Sequence, residues 1–127
     1  MTTRILIADD EPNILISLEY LMKRQGYEVF VARDGQEALD ALRQHRPRLV
    51  LLDVMMPRKS GFEVCQELRA DEAIRDTLVL MLTAKGRDTD VAKGLGVGAD
   101  AYMTKPFSTK ELVQKVAELL AAGRAAS

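Results

Sequence analysis

A chain of 127 residues, 47% apolar and 29% charged, has the size and composition of one soluble globular domain with its own hydrophobic core. Its 18 basic and 19 acidic residues leave a net charge of −1, which excludes a charge-driven binder of nucleic acid or of an anionic membrane. No apolar run approaches a membrane span, the N-terminus lacks the form of a signal peptide, and the single Cys65 excludes an intrachain disulfide, so a cytoplasmic protein is expected.

In chain order, Ile5–Ala8 reads as a first strand. Ile14, Leu15, Leu18, Leu21 and Met22 then recur at helical spacing, with Pro12 near the first turn and Gly26 as a stop. Val29–Ala32 reads as a second strand. A helix carrying Ala38, Leu39 and Leu42 follows Gly35 and ends before Pro47. Leu49–Leu52 is the third strand, followed by a helix from Ser60-Gly61 through Phe62, Cys65 and Leu68. Leu78–Leu82 is the fourth strand. Val91, Ala92 and Leu95 make a weaker helix, ended by the glycines at 94, 96 and 98. After a weak fifth strand at Ala101–Met103, Ser108-Thr109-Lys110-Glu111 opens the last helix as a capping box. That helix carries Leu112, Val113, Val116, Leu119 and Leu120, and residues 121–127 are expected to form a frayed tail.

The third and fourth strands show no polar alternation, so both of their faces must be covered. Five strands alternating with five helices therefore predict a (βα)5 α/β fold. It is a doubly wound, five-stranded parallel sheet with right-handed crossovers. Ligands of such folds bind outside the carboxyl ends of the strands. The polar residues at those ends are Asp9 and Asp10 after the first run, Asp53 after the third, Thr83 after the fourth and Lys105 after the fifth. Clustered carboxylates repel one another and raise each other's pKa. A small hard cation with oxygen ligands, Mg²⁺ above all, removes the conflict and leaves room for phosphate. An ammonium and a hydroxyl beside such a carboxylate suit a phosphoryl group attached to it. Glu11 is better read as an acid at a helix N-terminus, favoured by the dipole.

Five motifs in order carry a resemblance that covers residues 3 to 121. They are Asp9-Asp10, "LLDVMMP" around Asp53, "TA" at Thr83-Ala84, "GADAY" ending in Tyr102, and "KPF" at Lys105-Pro106-Phe107. The chain closely resembles a response-regulator receiver domain of two-component signalling. The resemblance implies a flavodoxin-like sheet of order 2-1-3-4-5. It implies that Asp53 accepts a phosphoryl group from a sensor histidine kinase or a histidine phosphotransfer protein. Asp10, Asp53 and the backbone carbonyl of Met55 would hold Mg²⁺, with Mn²⁺ as a substitute ion and Asp9 acting through water. Lys105 would pair with the phosphoryl oxygens, Thr83 would hydrogen-bond one of them, and Tyr102 would turn inward with Thr83. A cis peptide before Pro106 is implied as well. The output surface would be the fourth helix, fifth strand and fifth helix, docking a downstream protein. The chain would be one receiver domain over 1–127 with no output domain within it, either a stand-alone receiver or one cut from a larger regulator, with no direct contact with nucleic acid or membrane and a monomeric or weakly dimeric state.

Charged residues that pair receivers in some relatives are replaced here by Val91, Val97, Ala101 and Ala122, which with Tyr102 predict a small apolar patch. Met55 and Lys85 border the expected path of a hydrolytic water, and neither can position it as an amide or carboxylate would. Cys65 is expected to be a buried small hydrophobe, His45 a solvated helix-end residue, and Met55-Met56 partly core. Two other functions compete. An aspartyl phosphohydrolase would need a second acid two residues after Asp53, where Met55 stands. A flavin module would need a Ser/Thr/Gly-rich phosphate loop after the first strand, where three acids stand.

Overall fold

The computed structural model describes residues 2–84 and 88–123, without the side chains of residues 88–91. Ten elements alternate along the chain: β1 (Arg4–Ala8), α1 (Pro12–Arg24), β2 (Glu28–Ala32), α2 (Gly35–His45), β3 (Leu49–Asp53), α3 (Gly61–Ala70), β4 (Leu78–Ala84), α4 (Asp88–Gly96), β5 (Ala101–Lys105) and α5 (Thr109–Ala122). All strands are parallel, in the order β2-β1-β3-β4-β5. Architecture and strand order are those expected. Among the described residues, no helix is long and apolar enough to cross a membrane.

Strand alternation sorts the core into two layers. Ile5, Ile7, Leu49, Leu51, Leu78, Leu80 and Leu82 pack with Leu15, Leu18 and Met22 of α1 and with Leu112 and Val116 of α5. Leu6, Ala8, Val50, Leu52, Val79 and Met81 pack with Ala38, Leu39 and Leu42 of α2 and with Phe62, Cys65 and Leu68 of α3. This is why β1, β3 and β4 are apolar on both faces, with polar residues, Arg4, Asp53 and Thr83, only toward their ends. β5 is an edge strand. Its Ala101 and Met103 face the α1–α5 layer, while Tyr102, on the other face, is 45% exposed.

Caps explain most of the boundaries. Asp34 accepts from the Glu37 N–H at 2.8 Å to start α2. Ser60 and Glu63 form a complete capping box at α3. The box expected at α5 is half made. Ser108 Oγ accepts the Glu111 N–H at 3.0 Å, and Glu111 does not return the second bond. The tail is shorter than expected, because Ala121 and Ala122 belong to α5 and Gly123 caps it; residues 124–127 lie outside the described residues. Gly94 also differs from expectation. It lies inside α4, whereas Gly96 is its last residue as expected, and the turn that follows is made at Gly98, with φ +106°.

The apolar patch does not assemble as expected. Val97 packs into the α2–α3 layer and Ala101 into the α1–α5 layer, on opposite faces of the sheet. Ala122 is exposed, and the side chain of Val91 lies outside the described residues. Leu95, 47% exposed, and Tyr102 are the large apolar residues that α4 and β5 present. His45 is half-buried rather than solvated: its ring stacks on Phe30 with centroids 3.8 Å apart. Cys65 is fully buried, and its thiol donates to the Val97 carbonyl at 3.5 Å. Met55 stands 61% exposed while Met56 packs on the core.

Candidate functional site

Parallel register brings the expected residues to one end of the sheet. Asp53 ends β3 opposite Leu82, and Ala84 at the end of β4 stands opposite Lys105 at the end of β5. β4 therefore runs two residues past its expected end and takes in Thr83. Asp9, Asp53 and Lys105 continue the alternate positions that line the α1–α5 layer. Thr83 continues the positions of Val79 and Met81, on the face shared with Tyr102.

Lys105 Nζ reaches Asp9 Oδ2 at 3.0 Å and Asp53 Oδ1 at 3.3 Å. Asp9 is fully buried, and its other oxygen accepts the Glu11 N–H at 2.9 Å. Both oxygens of Asp9 are thus engaged. Asp10 is exposed and has no hydrogen bond or ion pair among the described residues. One carboxylate oxygen from each of Asp9, Asp10 and Asp53 lies within 4.8 Å of the others. Three hard oxygen donors at that spacing fit Mg²⁺ or Mn²⁺. Glu11 is the N-cap residue of α1 and its side chain makes no capping bond, so its acid acts on the helix end through charge alone.

Burial works against the charge of Asp53, which is only 6% exposed, and the nearby Asp9 carboxylate works against it further. Lys105 and the Met55 N–H, which hydrogen-bonds the carboxylate, offset part of this. The net result raises the Asp53 pKa from 3.8 to about 6. Burial also disfavours the Lys105 ammonium. Its hydrogen bond to Asp9 and the attraction of both carboxylates outweigh that and hold its pKa above the usual 10.5. Thr83 Oγ1 is buried and, among the described residues, is the one buried side-chain polar atom with no hydrogen-bond partner. A buried hydroxyl without a partner is costly and uncommon in a native fold.

Sequence reasoning missed a supporting residue. Gly61 opens α3 directly against the end of β3, and its N–H donates to the Val54 carbonyl at 2.9 Å. A Cβ at position 61 would collide with the Asp53 carbonyl oxygen, so only glycine lets α3 start this close to the acidic cluster. The glycine was visible, but a helix start accounted for it fully. The peptide between Lys105 and Pro106 is cis, as the resemblance implied. Lys85, expected beside the water path, lies outside the described residues.

A profile of the response regulator receiver domain matches residues 5–117. The alkaline phosphatase synthesis transcriptional regulatory protein PhoP of Bacillus subtilis is 45% identical over 120 residues, covering 94% of this chain and 49% of that protein. The chain thus spans about half the length of this curated relative. Among solved structures, a response-regulator candidate from Chloroflexus aurantiacus superposes with a TM-score of 0.91 at 34% identity, covering 95% of this chain and 99% of that one. The chemotaxis response regulator CheY4 of Vibrio cholerae superposes with a TM-score of 0.88 at 30% identity, covering 94% and 99%. Receiver domains serve phosphorylation-based two-component signalling, as switches rather than ordinary enzymes. Over nearly its whole length, this chain belongs to the response regulator receiver domain family.

Proposed function

We propose that Asp53 is the phosphoryl acceptor of an Mg²⁺-dependent signalling switch, supplied by a sensor histidine kinase or a histidine phosphotransfer protein. The observation that carries this reading is the unpartnered Thr83 hydroxyl, buried at the same sheet end as Lys105 and the three carboxylates. A phosphoryl oxygen is the acceptor that this hydroxyl lacks.

In the transfer, an Asp53 carboxylate oxygen attacks phosphorus as the phosphorus–nitrogen bond to the donor imidazole breaks. The imidazole nitrogen leaves and takes up a proton, and an acyl phosphate remains on Asp53. Lys105 holds its ammonium within reach of both Asp9 and Asp53, so it can turn toward the incoming phosphoryl oxygens without leaving the site. The Met55 N–H keeps Asp53 oriented. Asp10, Asp53 and the Met55 carbonyl would hold Mg²⁺, with Asp9 acting through water, and the bound ion would supply positive charge to the carboxylates and the phosphoryl oxygens. The free Asp10 and the doubly engaged Asp9 support that division of roles.

Output follows from the sheet face. Thr83 and Tyr102 lie on the side covered by α4, so a Thr83 hydroxyl drawn to the phosphoryl group vacates space toward Tyr102. The surface of α4, β5 and α5, presenting Leu95 and Tyr102, then changes its packing and its affinity for a downstream protein. The single buried cysteine is compatible with the reducing cytoplasm as its location.

Intact mass after acetyl phosphate or phosphoramidate with Mg²⁺ tests the acceptor. The wild type gains one labile phosphoryl group and Asp53→Asn gains none. Stoichiometric labelling of Asp53→Asn would overturn the assignment.

A further inference from the structure

Opposite the acceptor, at the end where β4 and β5 begin, Arg69 of α3 holds three connections together. Its Nε donates to the Gly98 carbonyl at 3.0 Å, its Nη1 to the carbonyls of Arg75 and Thr77, each at 2.6 Å, and its Nη2 to Asp100 Oδ2 at 2.8 Å. At least four of the five guanidinium N–H donors are therefore used. The same Asp100 oxygen accepts the Val79 N–H at 2.7 Å, and the Asp100 N–H donates to the Val79 carbonyl at 2.9 Å. One side chain thus joins the α3–β4 connection, the start of β4 and the α4–β5 turn. Gly98 completes the fit. Its φ of +106° suits glycine, and a Cβ there would come within 3.0 Å of Arg69 Cγ.

The end of α4 closes onto this same turn. The Val97, Gly98 and Ala99 N–H groups donate back to Lys93, Leu95 and Gly94 at 3.0, 3.2 and 3.0 Å. The start of α4, in contrast, follows the end of β4 that carries Thr83. Phosphorylation therefore acts at one end of α4, and the charge-assisted bonds hold the other.

We propose that Arg69 and Asp100 form a latch that pins the C-terminal end of α4, so that phosphorylation swings α4 as a lever about that end. Displacement is greatest near Asp88 and smallest over residues 97–100. The inference rests on the signalling-switch reading above and adds the fixed point on which that switch turns. Hinge motions of this kind need a few anchored residues at an element's end.

Amide exchange resolved by residue tests the latch, on wild type, Arg69→Lys and Asp100→Asn in Mg²⁺, before and after acetyl phosphate, with intact mass reporting the phosphoryl group. Arg69→Lys keeps the charge and loses the fork. Before phosphorylation, both variants should exchange the amides of Val79 and Gly98–Asp100 at least about tenfold faster than wild type. Unchanged rates would overturn the latch whether or not the protein is phosphorylated. After phosphorylation, wild type should respond in the first half of α4 and stay silent at Gly98–Asp100, while in Asp100→Asn the response should spread into that turn. A wild-type response at Gly98–Asp100 as large as that near Asp88 overturns the lever. A wild type that gains no mass overturns the acceptor reading instead, and the latch is then judged by the unphosphorylated proteins alone.

Discussion

At one end of the sheet, two of three clustered carboxylates share one ammonium, and among the described residues a buried hydroxyl has no partner. At the other end, one carboxylate meets a guanidinium and a backbone N–H at 2.8 and 2.7 Å, and the guanidinium spends its remaining donors on carbonyls. Both ends bury charge, but the second balances it within the fold, whereas the first leaves an excess of negative charge and an unspent donor. Balanced charge rigidifies a structure. Unbalanced charge is destabilising unless something outside the chain completes it, so imbalance marks the end where a ligand acts.

Removing a balanced group should therefore cost the most. Asp100→Ala removes the acceptor of both Arg69 Nη2 and the Val79 N–H, each partly buried, and should lower the unfolding free energy by about 3 kcal/mol. Urea melts read this directly. A loss under about 1 kcal/mol would erase the contrast between the two ends.

At the unbalanced end the sign reverses. The Asp53 pKa is about 6 in the fold against 3.8 ordinarily, so between those values the native state binds more protons than the unfolded chain. Ionising Asp53 then weakens the native state as pH rises from about 4 to 6, and the penalty is complete above 6 and absent below 4. Asn carries no charge at any pH. In chelator and at pH 7.5, Asp53→Asn should be more stable than wild type by about 2 kcal/mol, and the gain should vanish near pH 4. A pH-independent difference would show that packing, not charge, separates the two proteins.

How far this contrast could be read from the sequence depends on distance along the chain. Asp9, Asp53 and Thr83 stood out because each polar residue follows a run apolar on both faces, a local signal. β5 was weak because Tyr102 lies on the less covered face of an edge strand. Arg69 and Asp100 carry no such local signal, because they meet across 31 positions and each alone reads as a solvated charge. The aspartate of "GADAY" has no role in the sequence alone; Arg69 beside it supplies one. The two Ser-x-x-Glu stretches, 60–63 and 108–111, are alike in sequence, yet only the first closes both bonds, because the side-chain conformation of the glutamate decides the second. Val97 and Ala101 read as one patch in the sequence because spacing alone does not tell which sheet face each residue meets.

Completing the unbalanced end with a cation should give a smaller effect. At tenfold excess over its dissociation constant, Mg²⁺ should stabilise the wild type by about 1.4 kcal/mol. Asp10→Ala should lose more of this than Asp9→Ala, since Asp10 is uncommitted and Asp9 already accepts from Glu11 and Lys105. Chemical-shift titration gives the affinities. Equal, undiminished binding in both variants would make the acidic pair structural.

The smallest expected effect is also the sharpest in sign. Thr83 Oγ1 is buried without a partner, so the unphosphorylated fold carries the cost of a desolvated hydroxyl. Valine has nearly the same shape and no hydroxyl, so Thr83→Val should stabilise the unphosphorylated protein by about 1 kcal/mol. Once Asp53 carries a phosphoryl group, the hydroxyl has an acceptor, and the same substitution should destabilise the protein and shorten the interval before Tyr102 returns to its exposed position. Paired urea melts of wild type and Thr83→Val, with and without acetyl phosphate and Mg²⁺, measure both signs, and tyrosine fluorescence follows Tyr102. If Thr83→Val destabilises both forms equally, the hydroxyl is already satisfied before phosphorylation, and the unspent donor that distinguishes this end of the sheet from the other does not exist.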